Sequence, residues 1–229
     1  MAIYITWLGH SAFKLGIDGL SILIDPFLSG NPFAPVSPDE IAADYILITH
    51  AHANHLGDSP AIAQRTGATI IAISEICNWL GQNHQIEHVQ SQNLGGGRHY
   101  PFGHVKFVRA DHSSSFEDGS FGGLASGIIL TVNDKRLYFA GDTALFSEMS
   151  IIGELGIDVA FLPIGDTFTM GPHDSVQAIK LIRPQSAFPT HYDTFEMIQQ
   201  DVFAWAQRVQ NETDALPIVV DPGASFIVD

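Results

Sequence analysis

The chain concentrates its metal-binding chemistry in the run His50-Ala51-His52-Ala53-Asn54-His55. In an extended backbone, side chains two residues apart point the same way, so His50 and His52 can grip one cation. A turn beginning at Ala53 would swing His55 toward a neighbouring position. Taken alone, the His-x-His pair reads equally well as partly buried, hydrogen-bonded histidines. However, four apolar runs end in residues of the metal-binding class: YILITH in His50, KFVRADH in His112, LYFAGD in Asp142 and SAFPTH in His191. Strand ends gathered on one rim would bring these imidazoles and the carboxylate together, and small residues such as Gly141 allow close approach. Such a donor set accepts Zn, Mn or Fe according to availability.

The elements that must hold these residues follow from periodicity and turn chemistry. Residues 3–8, 12–17 and 20–24 read as a meander of strands, with Asp18 and Gly19 turning between the last two. After a loop rich in Pro, Ser and Gly, residues 45–48 read as a buried strand. Helices over 57–65 and 74–82 then flank a short strand at 68–72. Strands return at 105–109, 126–132 and 136–139, the last two turned by Asn133 and Asp134. A strand at 157–162, a helix at 174–182 and a strand at 186–188 follow. The spacing of Phe195, Ile198, Val202, Trp205 and Val209 predicts a helix over 195–209 with a core-facing stripe, N-capped by Thr194. Strands then helices, twice over, predict an α+β fold: a four-layer αββα sandwich, formed by a single domain over 1–229. The loops at 95–97 and 113–123 are candidate lids.

With 45% hydrophobic residues and 15 Phe, the chain can fill a sizeable core, which excludes disorder. Its net charge of −15 repels phosphate backbones and anionic membrane surfaces, so a small molecule is the expected partner, rather than nucleic acid or a membrane. Cys77, the lone cysteine, forms no internal disulfide and no thiolate cluster, and reads as a small buried residue. No basic start followed by a long apolar run opens the chain, and no stretch approaches a membrane span. A cytoplasmic location is expected.

The order and context of these residues resemble the metallo-β-lactamase superfamily of metal-dependent hydrolases, over essentially the whole chain. The segments WLGHSAF, ILIDPFLSGNP, ITHAHANHLGD, FAGDT and PTHYDTF are most similar to a branch related to the ascorbate-6-phosphate lactonase group. The resemblance implies two divalent ions, zinc first with Mn or Fe as alternatives. His50, His52 and His112 would hold the first ion, Asp142 would bridge, and His55 and His191 would belong to the second. Asp25 matches an acidic residue that lies beneath the site and orients histidine ligands; its other reading is a turn cap before Pro26. His10 resembles a position near the pocket, and it reads equally as a polar residue at a strand end.

The superfamily motif is His-x-His-x-Asp-His, and here Asn54 stands at the aspartate position. An amide oxygen can approach a cation, but it adds no charge and accepts no proton. The second ion is therefore expected to bind more weakly, and water activation at that residue to slow. Asn54 fits one firmly held ion, an adapted two-ion site, or an introduced inactivating change. Asp142, Asn54 and His10 are the candidate catalytic residues, and Asn54 is also a candidate ligand.

Two divalent ions roughly 3.5 to 4 Å apart can share a hydroxide whose pKa falls toward neutrality, and each can polarise a substrate oxygen. The expected reaction is hydrolysis of a small ester, lactone or phosphorylated metabolite without a serine or cysteine nucleophile. Ser113, Ser114 and Ser115 read as loop residues. Two alternatives stand beside it: a phosphodiesterase or nuclease of the same fold, disfavoured by the charge and the lack of a Lys/Arg cluster, and a non-catalytic metal-binding protein. His173, ahead of a helix, and Tyr192, beside His191, are two further residues within reach of such a pocket.

Overall fold

Alternating burial along the first strands sets which face turns inward. In β1 (Ile3–Trp7) and β2 (Phe13–Ile17) every second side chain is buried, as expected of strands with one face against a core. The computed structural model describes residues 2–229. The first sheet continues through β3 (Leu20–Ile24), β4 (Tyr45–Leu47), β5 (Thr69–Ile73) and β6 (Val89–Gln92). The second is built from β7 (Gly97–Tyr100), β8 (Gly103–Arg109), β9 (Ser126–Val132), β10 (Lys135–Phe139), β11 (Val159–Pro163), β12 (Ser186–Thr190) and β13 (Leu216–Pro217). The terminal strand β14 (Ser225–Val228) returns to pair antiparallel with β1.

Among the described residues there are two seven-stranded sheets, ordered β14-β1-β2-β3-β4-β5-β6 and β13-β12-β11-β10-β9-β8-β7. Both begin as antiparallel meanders and become parallel, at β3–β4 in the first and β10–β11 in the second. The helices lie in the connections that parallel pairing requires. These are α1 (Ala53–Leu56), α2 (Ser59–Thr66), α3 (Ser74–His84), α4 (Met149–Gly153), α5 (Pro172–Ile182) and α6 (Val202–Glu212). The sheets meet through aromatic side chains. Phe13 of the first packs edge-on against Phe139, Phe161 and Phe188 of the second, at centroid distances of 5.5, 4.9 and 5.4 Å. Two mixed sheets flanked by helices match the expected αββα sandwich. No helix of the described residues is long and apolar enough to cross a membrane.

The helix expected over 195–209 is two elements. A single 3₁₀ turn covers Glu196–Ile198, and α6 begins only at Val202, where the Asp201 side chain accepts a hydrogen bond from Ala204 N at 2.9 Å. Asp201, not Thr194, is therefore the N-cap. Ile198, Trp205 and Val209 are buried as the stripe requires, but Phe195 is 41% exposed. A 3₁₀ turn followed by a capped helix reproduces the same 3 and 4 spacing. Cys77 is buried, and burial pushes its thiol up.

Candidate metal centre

Three side chains of the site stand on backbone that only a strongly determined structure tolerates. His10, Asp25 and His191 have φ of 54°, 43° and 54°, left-handed conformations costing about 1 to 3 kcal/mol each for such residues. Asp25 leaves the sheet directly after β3, and His191 directly after β12. The two sheets are pinned together at this point. The carbonyl of His10 accepts from His191 N at 3.2 Å and from Trp7 Nε1 at 3.1 Å. Gly141, before Asp142, has φ of +62°, and a Cβ there would lie 3.0 Å from Thr49 Cβ, so the close approach is real.

The strand-end residues converge. One ligand atom from each of His50, His52, His112 and Asp142 lies within 4.8 Å of the others, and the same holds for His10, His55 and His191. His50 Nε2 and His52 Nδ1 are 3.0 Å apart, at the ends of side chains on alternate residues. The turn at Ala53 is helix α1, whose carbonyl at His52 accepts from His55 N at 2.9 Å and swings His55 toward the second group. Asp142 lies between the groups. Its Oδ2 is 3.1 Å from His191 Nε2, 3.6 Å from His112 Nε2 and 3.9 Å from His50 Nε2. Its Oδ1 is 3.2 Å from His55 Nε2.

Beneath the histidines, Asp25 is almost fully buried. Its Oδ1 accepts from Thr49 N at 2.8 Å, and its Oδ2 from the Thr49 hydroxyl at 2.6 Å and from His55 Nδ1 at 2.8 Å. With the Thr49 proton given to Asp25, Thr49 Oγ1 accepts from His50 Nδ1 at 3.0 Å. One carboxylate thus orients two imidazoles, keeps Nδ1 of each as the donor, and leaves Nε2 of each facing Asp142. On the other side, His10 Nδ1 donates to Thr194 Oγ1 at 2.9 Å, and Asn54 Nδ2 donates to His10 Nε2 at 2.8 Å.

Electrostatics sort these imidazoles. Burial, with charge on neighbouring histidines, holds His10 and His50 well below the ordinary imidazole range and lowers His52 and His112 as well. They are neutral near pH 7, as ligands must be. His55 goes the other way: burial opposes its charge, but Asp142 and Asp25 raise it to about 10. Burial also opposes ionisation of Asp142, yet His191 and His55 hold its carboxyl well below the usual range.

A cation fits these residues. His55 Nε2 and Asp142 Oδ1 are buried and face each other at 3.2 Å with no other partner, so in the metal-free protein only the proton on His55 joins them. A divalent ion can take the place of that proton, since imidazole nitrogens and a carboxylate are donors of the kind it binds.

A cavity of about 480 Å³ opens over the site, lined by His52, His112, Asp142, Asn54 and His191 together with Phe27, Phe168 and Phe195. The aromatic walls come from three separate loops; Phe27 and Phe195 lie in the segments ILIDPFLSGNP and PTHYDTF but show no metal-binding chemistry of their own, and the 3 and 4 spacing of Phe195 reads as a helix stripe. Thr49 reads only as the residue before His50, and Thr194, expected as an N-cap, instead accepts from His10, so neither threonine's part in orienting a histidine is visible in the sequence. Ser113 lines the cavity, while Ser114 Oγ accepts from Ala51 N at 3.2 Å. Of the 113–123 segment only Ser113 lines this cavity, Glu117 and Asp118 lining the adjoining one, and residues Gly95 and Gly96 instead bond to the β8 side, with Gly95 N donating to Phe107 O at 2.8 Å. His173 is exposed on the first turn of α5 beside Asp174 and is not part of the lining. Tyr192 is buried and stacks on Trp7 at 5.6 Å, which is packing.

A model of the beta-lactamase superfamily domain matches residues 21–192. A UPF0173 metal-dependent hydrolase of Thermus thermophilus is 47% identical over 208 residues, spanning 91% of this chain and 92% of its own. One of Enterococcus faecalis is 47% identical over 225 residues, spanning 96% and 97%. The solved structure of Igni18, described as a novel metallo hydrolase from the hyperthermophilic archaeon Ignicoccus hospitalis, superposes with a TM-score of 0.91 at 36% identity, covering 100% of this chain and 99% of that one. The chain belongs to the beta-lactamase superfamily and, within it, to the UPF0173 metal-dependent hydrolases.

Proposed function

We propose that this metal-dependent hydrolase holds two divalent ions, zinc first among them, and cleaves a small ester or lactone. In this reading His50, His52 and His112 hold one ion. His55 and His191 hold the other, with His10 and Asn54 beside them as a hydrogen-bonded pair, and Asp142 lies between. The observation that carries the reading is the position of the Asp142 carboxylate, with one oxygen facing His55 and the other His191 and His112, at the floor of the cavity. Bound ions would supply Lewis acidity and an activated water at that floor.

The chain's own residues do the rest. Asp25, through His55 and Thr49, fixes the direction of imidazoles on both sides of Asp142. Asn54 cannot take a proton, so its role is to orient, by donating to His10 and standing 3.5 Å from His191 Nε2. The cavity walls limit water and hold the substrate body. Its volume suits a small molecule and not a polymer strand.

The test is to strip the protein with chelator, reload it with Zn or Mn, and assay neutral esters and lactones with the stripped protein as control. Turnover restored by metal supports the reading. A protein that retains two equivalents of metal and hydrolyses no ester or lactone overturns it.

A further inference from the structure

The cavity's walls differ sharply in character from its floor. Phe168 is 49% exposed and Phe195 41%, both facing the opening. Phe27 and Phe195 flank His10 with ring centroids 5.6 and 5.7 Å from the imidazole. An exposed phenyl ring is costly in water, and aromatic rings grouped around reactive groups are the usual recognition surface for an apolar body.

The backbone is strained to present one of them. Asp166 and Thr167, immediately before Phe168, both have positive φ, 59° and 49°, and neither is glycine. Consecutive left-handed residues of this kind cost about 1 to 3 kcal/mol each and persist where surrounding contacts hold them. Here the Thr167 hydroxyl donates to Met197 O at 3.0 Å, tying the Phe168 loop to the turn that carries Phe195. The two rings belong to one wall.

Charge is missing where a phosphorylated substrate would need it. Of the 10 Lys and Arg residues, none lines the cavity. Arg109 is engaged with Asp111 and Glu148, Arg208 and Lys180 with Glu212, and Arg65 with the Pro38 carbonyl. The adjoining cavity of about 460 Å³, which shares Phe27 and Ala53, carries three carboxylates, Asp58, Glu117 and Asp118, beside a single imidazole, His84, and no Lys or Arg. A phosphate placed away from the scissile bond would find phenyl rings in one direction and, in the other, three carboxylates against one imidazole. Phosphate recognition relies on cationic or N–H donors, and burying an unpaired charge is strongly unfavourable.

Resting on the hydrolytic reading above, we infer that the substrate is an uncharged ester or lactone bearing an aryl or branched alkyl group, held between Phe27, Phe168 and Phe195, and that phosphorylated analogues are rejected. The specificity-determining residues are then Phe168 and Phe195.

Metal-loaded protein is assayed with matched esters and lactones that are phenyl-substituted, unsubstituted, or phosphorylated at the same position. Expected is a kcat/KM at least about tenfold higher for the phenyl compounds than for the unsubstituted ones, with the phosphorylated compounds slowest. Phe168→Ala and Phe195→Ala should each raise KM for the phenyl compounds about tenfold, cut their preference over the unsubstituted ones by a similar factor, and retain the metal content. Phe203→Ala, at an exposed ring on α6, serves as the control and should change neither. Faster turnover of the phosphorylated compounds, or equal losses on all substrates in the Phe variants, overturns the inference while hydrolysis itself stands. Turnover of none of them by fully loaded protein overturns the hydrolytic reading, and the inference with it.

Discussion

Asn54 Nδ2 donates a hydrogen bond to His10 Nε2 across 2.8 Å, and His10 in turn donates from Nδ1 to Thr194. The pair is matched in its neutral form. An aspartate at position 54 would set an acceptor against the His10 lone pair and would favour a protonated or reversed imidazole. The amide thus suits a buried His10 that burial keeps neutral.

Replacing Asn54→Asp adds a negative charge beside the second histidine group. It is expected to tighten the second ion by about tenfold or more and to raise ester hydrolysis in parallel. Competition against a graded chelator reads the affinity. Unchanged retention and unchanged turnover would show that the second ion needs no carboxylate at position 54.

Asp25 answers three buried donors at once, Thr49 N–H, the Thr49 hydroxyl and His55 Nδ1–H. Asp25→Ala leaves them all without an acceptor and should destabilise the metal-free protein by about 3 to 5 kcal/mol, read from denaturant midpoints. Metal affinity should fall by about 10- to 100-fold. Asp25→Asn, which keeps an acceptor oxygen, should recover part of both. A loss below about 1 kcal/mol for the alanine variant would mean that water replaces the carboxylate.

His55 carries a proton in the metal-free protein because its value is raised to about 10. Coordination through Nε2 requires that proton to leave, so protons compete with metal at this site. Affinity for the second ion should therefore rise with pH, by about tenfold per unit between about pH 6 and 8, and uptake should release about one proton. Titration calorimetry in buffers of different ionisation enthalpy measures the release. Heats independent of buffer would contradict it.

Gly141→Ala combines a left-handed backbone with a Cβ placed 3.0 Å from Thr49 Cβ. The expected cost is about 1 to 3 kcal/mol, with weaker metal retention because Asp142 moves with its neighbour. A thermal midpoint and metal content equal to those of the parent protein would argue that the loop relaxes freely.

The sandwich was legible where burial alternates along a strand or where apolar runs meet turn residues, as in β2, β3, β9 and β10. Edge strands were not: β6 and β7 read VQSQ and GRHY, with no apolar face to mark them, and exist because a neighbour offers a hydrogen-bonding edge. The histidines and Asp142 stood out because strand ends and His-x-His spacing are local signals. The partners that orient them, Thr49 and Thr194, and the phenyl walls come from loop geometry. A spacing of 3 and 4 residues reads alike in a continuous helix and in a turn followed by a capped helix, which is why the sequence places Phe195 in a core-facing stripe.

The most direct measurement is metal content per chain, by elemental mass spectrometry, on protein purified without chelator or added metal, alongside His191→Ala and His112→Ala. Two donor groups sharing Asp142 predict about two equivalents in the parent protein and about one in each variant. A folded parent protein that carries no metal and takes up none when it is offered would contradict the two-ion site outright.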